Sequence, residues 1–427
     1  MSFNQYTWDL YKQTTIGIEM IKYFSDAGGY VLFKDYCPYA NFIPEDLYND
    51  WLENIYCYGV SDYDHPSLLE EAKDLYISLI TLGIRVEGQQ WLPANDFKNM
   101  LGIIQPMSYV LSQFAPEYFF PYLFLCRIFE LNKIADFFNI DLPNIPKRTD
   151  YKGRCMYYWE LCEVFYLFRK ENGLSPADLW SFLYDFAPNN LPSEKIDMPK
   201  PSQVWFIGGR LYQEDKSLES KFWQSSPETK KGDILVHYET SPISAITCIE
   251  ISLTDGVIDP LFRYYGCIYI GNRINIPHIT LKELQTDEYF FKHPLVRKNF
   301  QGVNGWSVNS ENYSELLRMI KTKGFDIEVL PKLYAPTLPK DVIIEYEHDV
   351  EQQLLEPLLN SMGWYENKDF IRQLPIQAGR GHRIFPDYAL HYGNKPNEER
   401  AKVLIEAKLC MRNNKEREEA YLQARSY

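Results

Sequence analysis

At 427 residues, 45% hydrophobic and 24% charged, the chain is too long for one ordinary domain and apolar enough to bury several cores, which excludes wholesale disorder, collagen-like sequence and a small disulfide scaffold. The formal charge of −14 excludes a broadly basic nucleic-acid coat; residues 1–200 carry −11 of it (16 Lys+Arg against 27 Asp+Glu), residues 201–338 carry −1 and residues 339–427 carry −2. No apolar run approaches the roughly 20 residues of a membrane span, MSFNQYTWDLYKQ is no signal peptide, and cysteines 37, 57, 126, 155, 162, 248, 267 and 410 show no C-x-x-C spacing, so a cytoplasmic, non-membrane protein with reduced thiols is expected.

Residues 1–195 read as an α-helical domain. HPSLLEEAKDLYISLITLG and RCMYYWELCEVFYLFRKENG place apolar residues at i, i+3, i+4 and i+7. Ser67 is placed as an N-cap with Glu70 closing a capping box, and Ser175-Pro-Ala-Asp is a second start signal. FNIDLPNIPKR is a proline-broken connector. The aromatic stripes here are core, and His65 carries no catalytic signal. The negative charge suits an oligomerisation or partner surface better than DNA.

NNLPSEKIDMPKPSQ, with three prolines, reads as a linker. After it the texture becomes β-branched and aromatic. QVWFIGG, GDILVHYE, SAITCIEIS and YYGCIYIG are strands of a small mixed or barrel-like sheet, and NYSELLRMIKTKG is a closing helix, giving a unit over 202–324. Trp205, Trp223, Tyr238 and Trp306 sit at strand ends beside glycines, where flat rings can stack on a base. His237, His278 and His293 show no metal spacing.

A second proline-bearing linker, 325–340, precedes a unit over 340–427. There EYEHDVEQQLLEPLLNSMGW is an amphipathic helix. DFIRQLPI, IFPDYALHY and AKVLIEAKL are strands, and NNKEREEAYLQARSY is a charged helix. Asp387 follows Pro386 in one strand; Glu406 and Lys408 share a face of the next. Two carboxylates on adjacent strands can hold one hard cation, Mg²⁺ or Mn²⁺. A lysine beside it can orient water or stabilise charge on a phosphate. The basic loop Gly379-Arg380-Gly381-His382-Arg383 is a DNA-backbone candidate through Arg380, His382 and Arg383.

This last unit resembles the PD-(D/E)xK nuclease superfamily, in particular the nuclease domain that begins the motor subunit of type I restriction enzymes. The resemblance rests on Glu351, the Gly363-Trp364 turn, Pro386-Asp387, Ile405-Glu406-Ala407-Lys408 and Gln423-Ala-Arg-Ser-Tyr427, the last similar to a Q-x-x-x-Y element. It implies that Asp387 and Glu406 bind the metal, that a helix glutamate assists, and that Lys408, Gln423 and Tyr427 complete the catalytic set. Glu347 and Glu351 both suit the helix role; Glu351 is favoured because it precedes the Leu354-Leu355 packing pair. Such nucleases continue with another strand and helix, so either the domain is cut short after Tyr427 or the fold closes differently.

The central unit resembles a PUA-like domain of the EVE type, on Val204-Trp205-Phe206-Ile207-Gly208-Gly209, Lys221-Phe222-Trp223, Lys231-Gly232-Asp233-Ile234-Leu235-Val236, Tyr264-Tyr265 and Gln301-Gly302-Val303-Asn304-Gly305-Trp306. That resemblance implies a modified base, a modified cytosine above all, held in an aromatic pocket. Together the two resemblances imply a multidomain α+β, modification-dependent DNA endonuclease similar to type IV restriction enzymes in anti-phage defence. Its partner would be double-stranded DNA carrying a modified base, with a homodimer favoured for cutting both strands. No G-x-x-x-x-G-K-[ST] is present, so this chain would cut without ATP. An RNA-directed or nucleotide-sensing nuclease and a non-catalytic reader stay open as alternatives.

Overall fold

A computed structural model describes residues 3–37, 40, 43–86, 89–192, 198–210, 220–334, 342–379, 382–393, 400–411 and 414–426. The chain forms two compact units, one of residues 1–198 with 203–330, the other of 199–202 with 331–427. It is a multidomain α+β protein with a helical N-terminal region, a central mixed sheet and small C-terminal sheets.

The helical region begins at Gln5–Gln13 and continues to Ala187–Asn190. It also holds a short ribbon, β1 (Ile84–Val86) with β2 (Gln89–Leu92), which the helical periodicity did not announce. One start signal shifts by a residue. The helix Leu69–Leu82 begins after Leu68, and Glu71, not Glu70, accepts from the Ser67 and Leu68 backbone N–H groups. The reason is spacing: a carboxylate reaches back three residues from the third helical position. At Ser175 the expected box forms, Ser175 Oγ accepting from Asp178 N and Asp178 Oδ2 accepting from Ser175 N. The connector after Ile128–Phe138 starts at Asn139, left-handed at φ 57°. The aromatic richness is largely core: Trp8, Tyr76, Trp159 and Phe182 are fully buried in one cluster. None of the eight cysteines is in a disulfide, and six are buried. Among the described residues no helix is long and apolar enough to cross a membrane.

The central sheet comprises β3 (Val204–Gly209), β4 (Ser220–Gln224), β5 (Ile234–Glu239), β6 (Ala245–Ser252), β7 (Val257–Ile258), β8 (Gly266–Thr280) and β9 (Trp306–Val308). Its order is β4-β8-β6-β5-β3-β9, with β7 on β8; β3 and β5 run parallel and the rest antiparallel. The closing helix is Ser310–Thr322.

Sheet and helices lock through the loop between β7 and β8. Arg154, 1% exposed in the helix Tyr151–Glu171, donates Nε to Pro260 O (2.8 Å), one terminal nitrogen to Phe262 O (2.7 Å) and the other to Arg148 O (2.9 Å). Asp259 is fully buried and accepts from the N–H groups of Cys126 (3.0 Å), Leu261 (2.9 Å) and Phe262 (3.2 Å). Burial pushes its carboxyl up to about 6, against those donors and the nearby Arg154 charge. A raised carboxyl favours folding below its unfolded-state pKa and loses that contribution as pH rises through the folded value. Unfolding free energy should therefore fall by about 3 kcal/mol from this group between roughly pH 4 and 6. Denaturant titrations across that range should show the slope in the wild type, and Asp259→Asn should flatten it.

Candidate functional site

The second unit places the acidic residues. Its leading helix runs Glu347–Val350, passes through a π-helical turn Glu351–Leu355 and ends as Glu356–Ser361. Asp349 Oδ2 caps it, accepting from Glu345 N (2.9 Å) and Tyr346 N (2.8 Å). A three-stranded antiparallel sheet follows: β10 (Phe370–Arg372), β13 (Tyr388–Leu390) and β14 (Val403–Ile405), in the order β10-β13-β14. Between β10 and β13 stands a separate hairpin, β11 (Ile376–Gly379) with β12 (His382–Ile384). Leu359, Phe370, Tyr388 and Leu390 form the core, with Leu355, Trp364 and Ile405 packed on it.

The strands are shorter than their apolar runs. β14 ends at Ile405, so Glu406, Ala407 and Lys408 lie just past the ladder rather than on it. The register Tyr388↔Ile405, carried one step further, sets Asp387 opposite Glu406. The junction is pinned by Ala407 N–H donating to Asp387 Oδ2 at 2.6 Å.

Carboxylate oxygens of Glu347, Asp387 and Glu406 lie within 4.8 Å of one another. Lys408 Nζ reaches Glu406 Oε1 at 2.8 Å and Glu347 Oε1 at 3.0 Å. Gln423, on the helix Asn414–Ser426, donates its amide to Glu406 Oε1. Asp387, Glu406, Lys408 and Gln423 are thus brought together. Of the two helix glutamates, Glu347 joins them. Glu351 instead pairs with Arg372 at 3.1 Å, and the same guanidinium takes Glu356 at 2.9 Å. Nothing near Arg372 in the sequence marks it, since its two partners lie at least sixteen positions away along the chain. Tyr427 and Arg380 lie outside the described residues; His382 is in β12, and Arg383 is exposed on that strand.

Burial raises the pKa of Asp387; the Ala407 N–H opposes it, and the charges of Glu406 and Glu351 add to the rise. Burial works against the Lys408 ammonium, but its hydrogen bonds to Glu406 and Glu347 outweigh that and hold its pKa above the ordinary value. At about 2.1 Å per bond, oxygens on an octahedral Mg²⁺ stand about 3.0 Å apart when adjacent and about 4.2 Å when opposite, so this all-oxygen set would have to draw closer together to hold a small hard cation.

The central sheet redistributes the four aromatics. Trp205 is 6% exposed and donates Nε1 to Asp233 Oδ2 at 2.9 Å inside the cluster with Ile207, Leu235, Ile268 and Ile270. Tyr238 is 3% exposed and stacks on Phe300, centroids 4.0 Å apart and 3° from parallel. Both rings are thus engaged with protein partners. Trp223 and Trp306 are half-buried. Trp223 donates to Asn304 Oδ1 at 3.3 Å, meets His237 edge-on at 4.8 Å, and lies where a Cβ on Gly209 would come within 2.6 Å of its ring. Buried beside it, Glu250 joins His237 (3.1 Å) and Arg273 (2.7 Å). Trp205→Phe should cost about 1–2 kcal/mol in denaturant unfolding, from the lost bond to Asp233.

No protein-family model and no curated protein matches the chain. Two solved structures resemble part of it. One is the NMR structure of Rpa0253 from Rhodopseudomonas palustris, 14% identical, aligned over 28% of this chain and 94% of that one at a TM-score of 0.25. The other is a hypothetical protein from Leishmania major, 12% identical, aligned over 29% and 98% at a TM-score of 0.25.

Proposed function

We propose that the chain is a metal-dependent endonuclease whose centre is Asp387, Glu406, Glu347 and Lys408. The observation that carries this reading is the convergence of three carboxylates and one lysine at the ends of β13 and β14 and the start of the leading helix. The three carboxylates would hold Mg²⁺ or Mn²⁺, which when bound polarises a phosphodiester and lowers the pKa of its water. Lys408, steered by Glu406 and Glu347, sets a positive charge where a phosphate gains negative charge during attack. Gln423 fixes the orientation of Glu406. Water adds to phosphorus, the P–O bond to the leaving sugar breaks, and the proton passes to the leaving oxygen.

The substrate proposed is DNA carrying a modified base, cut in defence against phage. With Trp205 and Tyr238 committed to the core, base contact falls to the half-buried rings Trp223 and Trp306.

The test is cleavage of plasmid DNA, unmodified or modified at cytosine, with Mg²⁺ or Mn²⁺ and no ATP. Metal-dependent cutting of modified DNA alone supports the whole reading. Equal cutting of both keeps the nuclease and sinks the modified-base assignment. No cutting with either metal overturns both.

A further inference from the structure

Glu351 is a fourth carboxylate beside the centre, one turn along the helix from Glu347. Its charge is felt at Asp387, yet its Oε2 pairs with Arg372 at 3.1 Å. Arg372 lies in β10 opposite Tyr388, the residue after Asp387. Its guanidinium spans Glu351 and Glu356, and Tyr388 Oη donates to Glu356 at 3.2 Å. Glu351 and Glu356 are five residues apart, about 140° around an ordinary helix at 3.6 residues per turn. The π-helical turn between them brings both within reach of one arginine fork. The same fork ties the leading helix to the sheet, one turn from Glu347.

Charge points the same way. Asp387, Glu406 and Glu347 against Lys408 leave a charge that one divalent cation balances. Adding Glu351 would supply the further oxygen ligand that a second cation, about 3.5–4 Å from the first, requires.

We infer that Arg372 is a positioning residue that limits the centre to one divalent cation, by withdrawing Glu351 from the ligand set and holding Glu347 in it. This rests on the metal-centre reading above, and the experiment separates the two. Mn²⁺ bound to the full chain is counted by electron paramagnetic resonance and calorimetry. Wild type should bind one ion per chain. Arg372→Met should bind two, and Arg372→Met combined with Glu351→Gln should return to one. Glu351→Gln alone, which keeps the arginine, should bind one ion within about threefold of wild-type affinity, and it keeps the inference testable if Arg372→Met does not fold. Two ions in wild type, one ion in a folded Arg372→Met, or a tenfold loss of affinity in Glu351→Gln would overturn the role of Arg372 and leave the metal centre standing. No ion in wild type would overturn the metal centre itself.

Discussion

Asp387→Asn is expected to remove divalent-cation binding and cleavage while leaving the metal-free fold at least as stable as wild type at pH 7. Asp387 contributes one of the three converging carboxylates and lies opposite Glu406 at the sheet end. Removing its charge takes away roughly 4 kcal/mol of metal-held transition-state stabilisation, so cleavage should fall on the order of 10³-fold. Stability should move the other way. Burial and the neighbouring carboxylates raise the pKa of Asp387, so its ionisation opposes folding. The raised pKa favours folding below the unfolded-state value, and that advantage is lost as pH rises through the folded value. An amide carries no such penalty, and its oxygen can still accept from Ala407 N–H. The contrast appears on adding metal. At a hundred times the dissociation constant, Mn²⁺ should stabilise wild type by about 2.7 kcal/mol and the variant not at all. Denaturant titrations with and without Mn²⁺ check both statements, and a variant that is less stable without metal yet keeps the metal-induced gain would sink the assignment. Metal affinity should also weaken as pH falls toward the raised pKa of Asp387, since protons and metal compete for the same oxygens.

What was legible in the sequence divides by distance along the chain. Ser175 and Asp178 form their cap because the whole device lies within three residues. Glu406 and Lys408 converge because two-residue spacing sets them on one side of extended chain, whether or not a ladder continues beneath them. Asp387 is found from its spacing because β13 and β14 are antiparallel neighbours. The choice between Glu347 and Glu351 was not legible, since one helical face carries both. It is decided by Arg372, twenty-one residues beyond Glu351. The burial of two of the four aromatics was not legible for the same reason. Nothing near Trp205 in sequence announces the bond to Asp233, and nothing near Tyr238 announces the stack on Phe300. A strand-end tryptophan beside glycines looks alike in a pocket and in a core. The parallel pairing of β3 with β5 is likewise a matter of topology, not of local pattern.

The largest stability effect should come from a residue with no part in the chemistry. Arg154→Met is expected to cost about 3–5 kcal/mol, the range for breaking a buried charged network by removing one partner. The side chain bonds three carbonyls at 2.7–2.9 Å, with a fourth, Arg263 O, at 3.4 Å. Its guanidinium also lies over the rings of Tyr151 and Tyr265, 5.4 and 5.2 Å from their centroids. Methionine fills much of the volume but donates to none of those oxygens, and each acceptor left buried without a donor costs roughly 1–3 kcal/mol. The buried carboxylate of Asp259 loses the neighbouring positive charge at the same time. Lysine should recover only part of the loss, because an ammonium cannot reproduce the planar fork. Hydrogen exchange should localise the damage. The amides of Cys126, Leu261 and Phe262, which donate to Asp259, should lose protection, while those of β10, β13 and β14 should not. A loss under 1 kcal/mol, or deprotection spread evenly over both units, would mean that the loop between β7 and β8 is held by apolar packing rather than by this arginine.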